Sequence, residues 1–159
     1  MGHCAPAIMQ TLLEQNDIRN ENMVLYSAGL AGGIAGSGTE CGALISPLMF
    51  LSFSSGSLSD IPGRLDIYHQ STIICKRIHF RDEDNRAMDE EMNNFNCSIN
   101  LSDELGLWFR NEFGFTSCYD IWRYDFSRTR DAESFIAGQC MKQCSGIGEK
   151  VARKVNSMV

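Results

Sequence analysis

The sequence predicts an all-α fold, a compact single-domain bundle of about five or six helices spanning residues 1–159. Three observations carry that expectation. Apolar residues recur mostly at helical spacing, no strand-hairpin signal interrupts them, and no tandem repeat points to a solenoid. At 159 residues the chain is long enough to bury a core without staples. Its 43% hydrophobic and 21% charged residues are those of an ordinary globular domain.

Taken in order, Cys4, Ile8 and Leu12 recur at i, i+4, i+8, with Met9 and Leu13 widening the stripe. This predicts a first helix that turns Cys4 inward. Residues 22–35 read as a second helix whose later part, SAGLAGGIAG, is almost all small. A third helix is expected from about residue 38 to 54, bent by Pro47 because proline lacks a backbone donor. GSLSDIPG, residues 56–63, reads as a loop. In 64–80, Ile67, Ser71, Ile74 and Ile78 give a helical stripe, and helix is preferred over the strand that STIICKRI would allow. Residues 81–100 read as a mobile acidic and Asn-rich excursion. SDELGLWFRNEFG (102–114) has a Ser start, early acids, a Leu105/Trp108/Phe109 face and a closing glycine, the marks of a helix. TSCYDIW begins a short helix. The last helix, about 132–157, should align Cys140, Cys144, Ile147, Val151 and Val155.

Charge and hydropathy exclude several classes. A net charge of −6 argues against nucleic-acid binding, which needs a basic face. The acids gather in RDEDNRAMDEE (81–91), which reads as a solvated surface. MGHCAPAIMQTLL has no basic start or cleavage site of a secretory leader. CGALISPLMFLSF, the longest uncharged apolar run, is too short to span a bilayer. A reducing cytoplasm is therefore the expected compartment, where seven cysteines are not a disulfide framework. No Ser/His/Asp order, paired carboxylates or phosphate loop stands out. The glycine-rich AGLAGGIAGSG follows a helical pattern, not a strand, so close backbone approach is its expected purpose.

The cysteines are the remaining candidates for chemistry. Ser37 and Glu40 have capping-box spacing, with Thr39 a competing cap. Either choice puts Cys41 near a helix start. Thr116 or Ser117 caps the next short helix and places Cys118 in its first turn. Free N–H groups there favour a thiolate, although Glu40 opposes this at Cys41. Cys140 and Cys144 lie one turn apart and could clamp a metal or simply pack. Cys75 and His79 have the same spacing without further support, and Cys97 falls in an expected loop.

GHCAPAIMQTLL, LYSAGLAGGIAGSGTECGAL, FRNEFGFTSCYDIW and CSGIGEKVARKV together resemble the C_GCAxxG_C_C family of small bacterial and archaeal proteins, to which redox activity is attributed. The resemblance spans nearly the whole chain, with an acidic insertion at 81–100. It implies that Cys4, Cys41, Cys118 and Cys144 are the family's four cysteines, Cys140 competing for the last place. The motif's closing glycine is Ser46 here, followed by Pro47.

The expected function is cysteine-based redox chemistry, by thiol/disulfide exchange or electron transfer. Cys41 and Cys118 would be the thiolates, and Cys4 or Cys144 their resolving partners; no cofactor is required for that. Two alternatives stand beside it. One is an iron–sulfur cluster or Zn held by Cys4, Cys41, Cys118 and Cys144. The other is a non-redox helical binding module. The partner would be a redox protein or small molecule, and self-association stays open.

Overall fold

The computed structural model describes residues 4–55, 86–138 and 140–159, with side chains from residue 97 onward in the second stretch. Its first element, α1 (Cys4–Gln15), buries Ala5, Ile8, Met9, Leu12 and Leu13, the stripe expected from spacing. Pro6 lies in the first turn, where a missing N–H interrupts no helical bond. The helix ends when Asp17 turns left-handed (φ 55°). The N–H of Ile18 then donates to Leu13 O (2.9 Å) and that of Asp17 to Glu14 O (3.3 Å), satisfying two terminal carbonyls.

The second helix is shorter than its composition predicts. α2 (Glu21–Ser27) passes into a 3-10 turn at Ala28–Leu30 and stops. From Gly32 to Gly36 five consecutive residues take positive φ, at 68°, 78°, 48°, 54° and 75°. Three are glycines, which enter this region without a Cβ clash; Ile34 and Ala35 are carried along at a cost. The loop folds so closely that a Cβ on Gly33 would lie 2.6 Å from Thr39 N. The hydroxyls of Ser37 and Thr39 both donate to Gly33 O. They close the loop, and the capping box expected of Ser37 and Glu40 does not form.

Helix α3 (Gly42–Ser54) accordingly starts later than expected, with Cys41 itself at the N-cap in an extended conformation. Phe50 and Leu51 are fully buried in the core, and Pro47 is accommodated inside the helix. α1 packs on α3 more extensively than on any other element. That close approach rests on two small residues. A Cβ on Gly42 would come within 2.6 Å of Leu30 O and 3.0 Å of Cys4 Sγ. One turn on, Ser46 is wholly buried and donates to Ala5 O at 2.8 Å, joining the helices through a hydrogen bond.

Helix α4 (Arg86–Phe113) reaches back well beyond the expected start at 102. The part of the acidic excursion from 86 to 100 is thus helical, because Ala, Met and Glu favour helix even where the pattern is polar. Leu105 and Phe109 are fully buried, and Phe109 packs against Phe113 with ring centroids 4.6 Å apart. The expected loop at 56–63, the helix at 64–80, the Cys75/His79 pair and residues 81–85 lie outside the described residues.

After Gly114 come α5 (Cys118–Trp122), α6 (Thr129–Ala137) and α7 (Cys140–Asn156). The single final helix expected over 132–157 is therefore two. Gly138 is extended (φ −88°, ψ 178°), breaking the path between α6 and α7. The described residues contain seven α-helices instead of five or six. Ile147, Val151 and Val155 bury the inner face of α7. Lys150 and Lys154 pair with Glu112 and Glu104 of α4, each at 2.6 Å. The all-α class is as expected: among the described residues the one β feature is an isolated bridge, Glu40 to Ser117. No described helix is long and apolar enough to cross a membrane.

Two substitutions separate close packing from backbone strain. Gly42→Ala should destabilise the fold by about 3 kcal/mol, since its methyl meets a carbonyl and a sulfur that cannot both retreat. Ile34→Gly should stabilise it by roughly 1 kcal/mol, because glycine removes the left-handed penalty and Ile34 is 46% exposed. Urea unfolding of both variants at one temperature checks the opposite signs.

Candidate functional site

Two chain segments distant in sequence are laced together beside the N-termini of α3 and α5. Cys41 N–H donates to Thr116 O (2.7 Å), Cys118 N–H to Thr39 O (2.7 Å) and Tyr119 N–H to Gly38 O (2.9 Å). Gly38 has φ 76°, and a Cβ there would lie 3.1 Å from Tyr119 Cβ, so the strands could not draw as close around a larger residue. This lacing sets Cys41 against Cys118, and the Cys118 thiol donates to the Cys41 sulfur. Both are buried, at 1% and 5% exposure.

The other two sulfurs form a second pair. Cys4 opens α1, Cys144 lies one turn into α7, and the Cys144 thiol donates to Cys4. Both are half-buried. The four cysteines that the resemblance singled out are thus brought together as an inner pair, Cys41/Cys118, and an outer pair, Cys4/Cys144. The two cysteines expected to be resolved by Cys4 or Cys144 instead face each other. The pairs also sense one another: negative charge on Cys4 disfavours ionisation of Cys41, Cys118 and Cys144.

Each pair holds one proton loosely and one tightly. The Cys4 thiol falls from 9.0 to about 6, chiefly through the hydrogen bond from Cys144. Burial opposes the shift, and the N–H groups of Gly32, Ala5 and Cys4 itself reinforce it. Gly32 belongs to the left-handed loop, so that loop supplies a donor to the sulfur. Cys144, as the donor, is raised by that bond, by burial and by the Cys4 charge.

In the inner pair the Cys118 hydrogen bond lowers Cys41 against the cost of burial, and N–H groups of Ala43 and Leu44 assist. Cys41 makes no conventional cap bond, but those amides at the start of α3 still face its sulfur closely enough to favour a thiolate. Cys118 is raised, first by its bond to Cys41, then by burial and by neighbouring charge. That corrects the expectation of a lowered Cys118. All four amides at its helix start are committed elsewhere: Cys118 to Thr39 O, Tyr119 to Gly38 O, Asp120 to Ser117 Oγ and Ile121 to Ser117 O. No helix-start donor remains for its sulfur.

Sequence reasoning missed the lowered Cys4, although Pro6 marks the helix start that supplies two of its amides. The other described cysteines, Cys97 and Cys140, stand apart. Cys97 is exposed on helix α4, not in the expected loop. Cys140 accepts a hydrogen bond from Tyr124, which raises the tyrosine pKa. It does not share the Cys144 setting. Among the described residues no group of three or more His, Cys, Asp or Glu side chains is arranged to hold a metal ion.

The outer pair looks onto a cleft of about 1410 Å³, open on one side, between α1, the left-handed loop, α6 and α7. Cys4, Cys118 and Cys144 all contribute to its wall. Cys41 lies behind.

Compared with protein-family models, residues 2–158 match the one described as "Putative redox-active protein (C_GCAxxG_C_C)". No curated protein and no solved structure matches the chain.

Alkylation tests the electrostatics directly. Iodoacetamide labelling of Cys4, followed by peptide mass spectrometry, should be half-maximal near pH 6 and fade as pH falls below it. Cys144→Ala removes the largest cause of the shift and should move that midpoint up by roughly one unit or more.

Proposed function

This chain belongs to the C_GCAxxG_C_C family, and we propose that it is a thiol–disulfide redox protein working with two dithiol pairs in series. The observation that carries this reading is the grouping of four sulfurs from four parts of the chain as Cys4/Cys144 and Cys41/Cys118. Disulfide chemistry needs two sulfurs in contact, one of them readily ionised and reachable. Cys4 supplies the thiolate and the access. Cys144, which keeps its proton while Cys4 is charged, supplies the second sulfur.

The order of events follows from charge. Cys4 thiolate attacks the electrophilic centre of an oxidised partner, and the bonding pair displaced there carries the negative charge onto the partner. The opposition that held the Cys144 proton then disappears, so Cys144 ionises and attacks the Cys4 sulfur. An S–S bond forms and the bond to the partner breaks. The partner leaves with two electrons, and the two thiol protons are released or carried with it.

The inner pair reaches the outside through the outer one. Cys118 is on the cleft wall next to Cys4 and Cys144, whereas Cys41 has almost no surface. Exchange passes a disulfide from Cys4/Cys144 to Cys41/Cys118 by successive thiolate attack, regenerating the outer thiols without net electron change. Thiols kept free in this way suit a reducing cytoplasm. The metal-binding alternative needs three or more donors on a common centre, and grouping in twos gives it less support.

Anaerobic oxidation with diamide followed by non-reducing peptide mapping provides the test. The expected linkages are Cys4–Cys144 and Cys41–Cys118, with Cys97 and Cys140 left as thiols. In Cys144→Ser the inner linkage should form roughly tenfold more slowly, its outer gateway being blocked. Linkages scattered over all cysteines, or none, would remove the proposal.

A further inference from the structure

The cleft beside the outer pair has a composition that the redox reading does not require. Its lining is small and apolar around α1 and the left-handed loop, including Ala7, Ile8, Ala31 and Ala35. Its far side is aromatic. Phe135 and Phe126 line it, and Phe135 is braced edge-on by Phe126, Tyr124 and Trp122 at 5.0, 5.7 and 5.8 Å. Such a wall is preset for a flat apolar ring.

Charge narrows the occupant further. Among the described lining residues the charged side chains are Glu149 and Arg153, and they pair with each other at 2.7 Å. No unpaired cation among the described residues lines the cleft to recognise the carboxylates of an anionic peptide disulfide such as glutathione disulfide, which the net charge of −6 also repels. A neutral apolar oxidant meets neither obstacle.

Resting on the thiol reading above, we infer that the cleft binds a lipophilic quinone and that Cys4/Cys144 exchange electrons with it. In the oxidising direction Cys4 thiolate adds to the quinone ring, and the electron pair moves onto the quinone oxygens. Cys144 then attacks the Cys4 sulfur, the carbon–sulfur bond breaks, and quinol leaves. The Cys4 thiolate and the Cys144 S–H are lost and one S–S bond forms. Two quinone C=O groups become C–OH, taking one proton from Cys144 and one from solvent, which holds the proton Cys4 released on ionising. One quinone is consumed per disulfide, and no further reactant is needed.

The test uses the full, reduced chain under anaerobic conditions with decylubiquinone, glutathione disulfide and diamide as separate oxidants. Quinol formation should match disulfide formation one for one, and peptide mapping should place the first disulfide at Cys4–Cys144. Ile136 lines the cleft yet is 56% exposed, so Ile136→Lys puts a charge there with little disturbance of the core. It should lower the ratio of quinone rate to diamide rate about tenfold and raise the rate with glutathione disulfide. Ala132→Trp, which fills the cleft from α6, should lower the same ratio without helping glutathione disulfide. A ratio unchanged in both variants, or saturable preference of the unaltered chain for glutathione disulfide, would overturn the quinone assignment alone. Failure of diamide to form Cys4–Cys144 would instead overturn the thiol reading beneath it.

Discussion

Three backbone hydrogen bonds between residues 38–41 and 116–119 hold the rest of the site in place. They join the loop before α3 to the loop before α5, two segments that no helix packing would otherwise register. By doing so they bring Cys41 onto Cys118. They also consume the amides of Cys118 and Tyr119, and Ser117 takes those of Asp120 and Ile121, so that α3, with Ala43 and Leu44 N–H facing sulfur, decides which member of the inner pair ionises. One short stretch of lacing thus fixes both the pairing and its polarity.

The outer pair depends on a different contact, the approach of α1 to α3. Gly42 lets Cys4 Sγ and Leu30 O press against the start of α3. Ser46, the serine of CGALIS, holds Ala5 O through its hydroxyl in the buried interface. A serine there does not weaken the contact. It exchanges bare proximity for a directed bond. Gly42 and Ser46 are thus accounted for by the close packing of α1 on α3.

Much of the fold was legible because apolar spacing is a strong signal. α1, the Leu105/Phe109 face of α4, the short helix at Cys118 and the Ile147/Val151/Val155 face of α7 were all readable. The misreadings share a cause: backbone choices made by tertiary context. Nothing in SAGLAGGIAG distinguishes a small-residue helix from a left-handed loop until Thr39 and Ser37 are seen closing on Gly33. Gly138 reads as a tolerable helix glycine until α6 and α7 diverge around it. At the site, flanking residues and order singled out four cysteines as candidates, whereas their pairing depends on long-range backbone bonds that no local pattern encodes. The high acidity of Cys4 was hidden for the same reason, since its main donor, Cys144, lies at the other end of the chain.

Among the described residues, the charge on Cys4 is held by a thiol proton and by amides of Gly32, Ala5 and Cys4 itself, with no lysine or arginine among the causes of its shift. Dissolved ions screen one full charge from another across a Debye length of about 8 Å at physiological strength, but they scarcely weaken contact hydrogen bonds from fixed dipoles. The hydrogen bonds that favour a thiolate at Cys4 are consequently little weakened by dissolved salt.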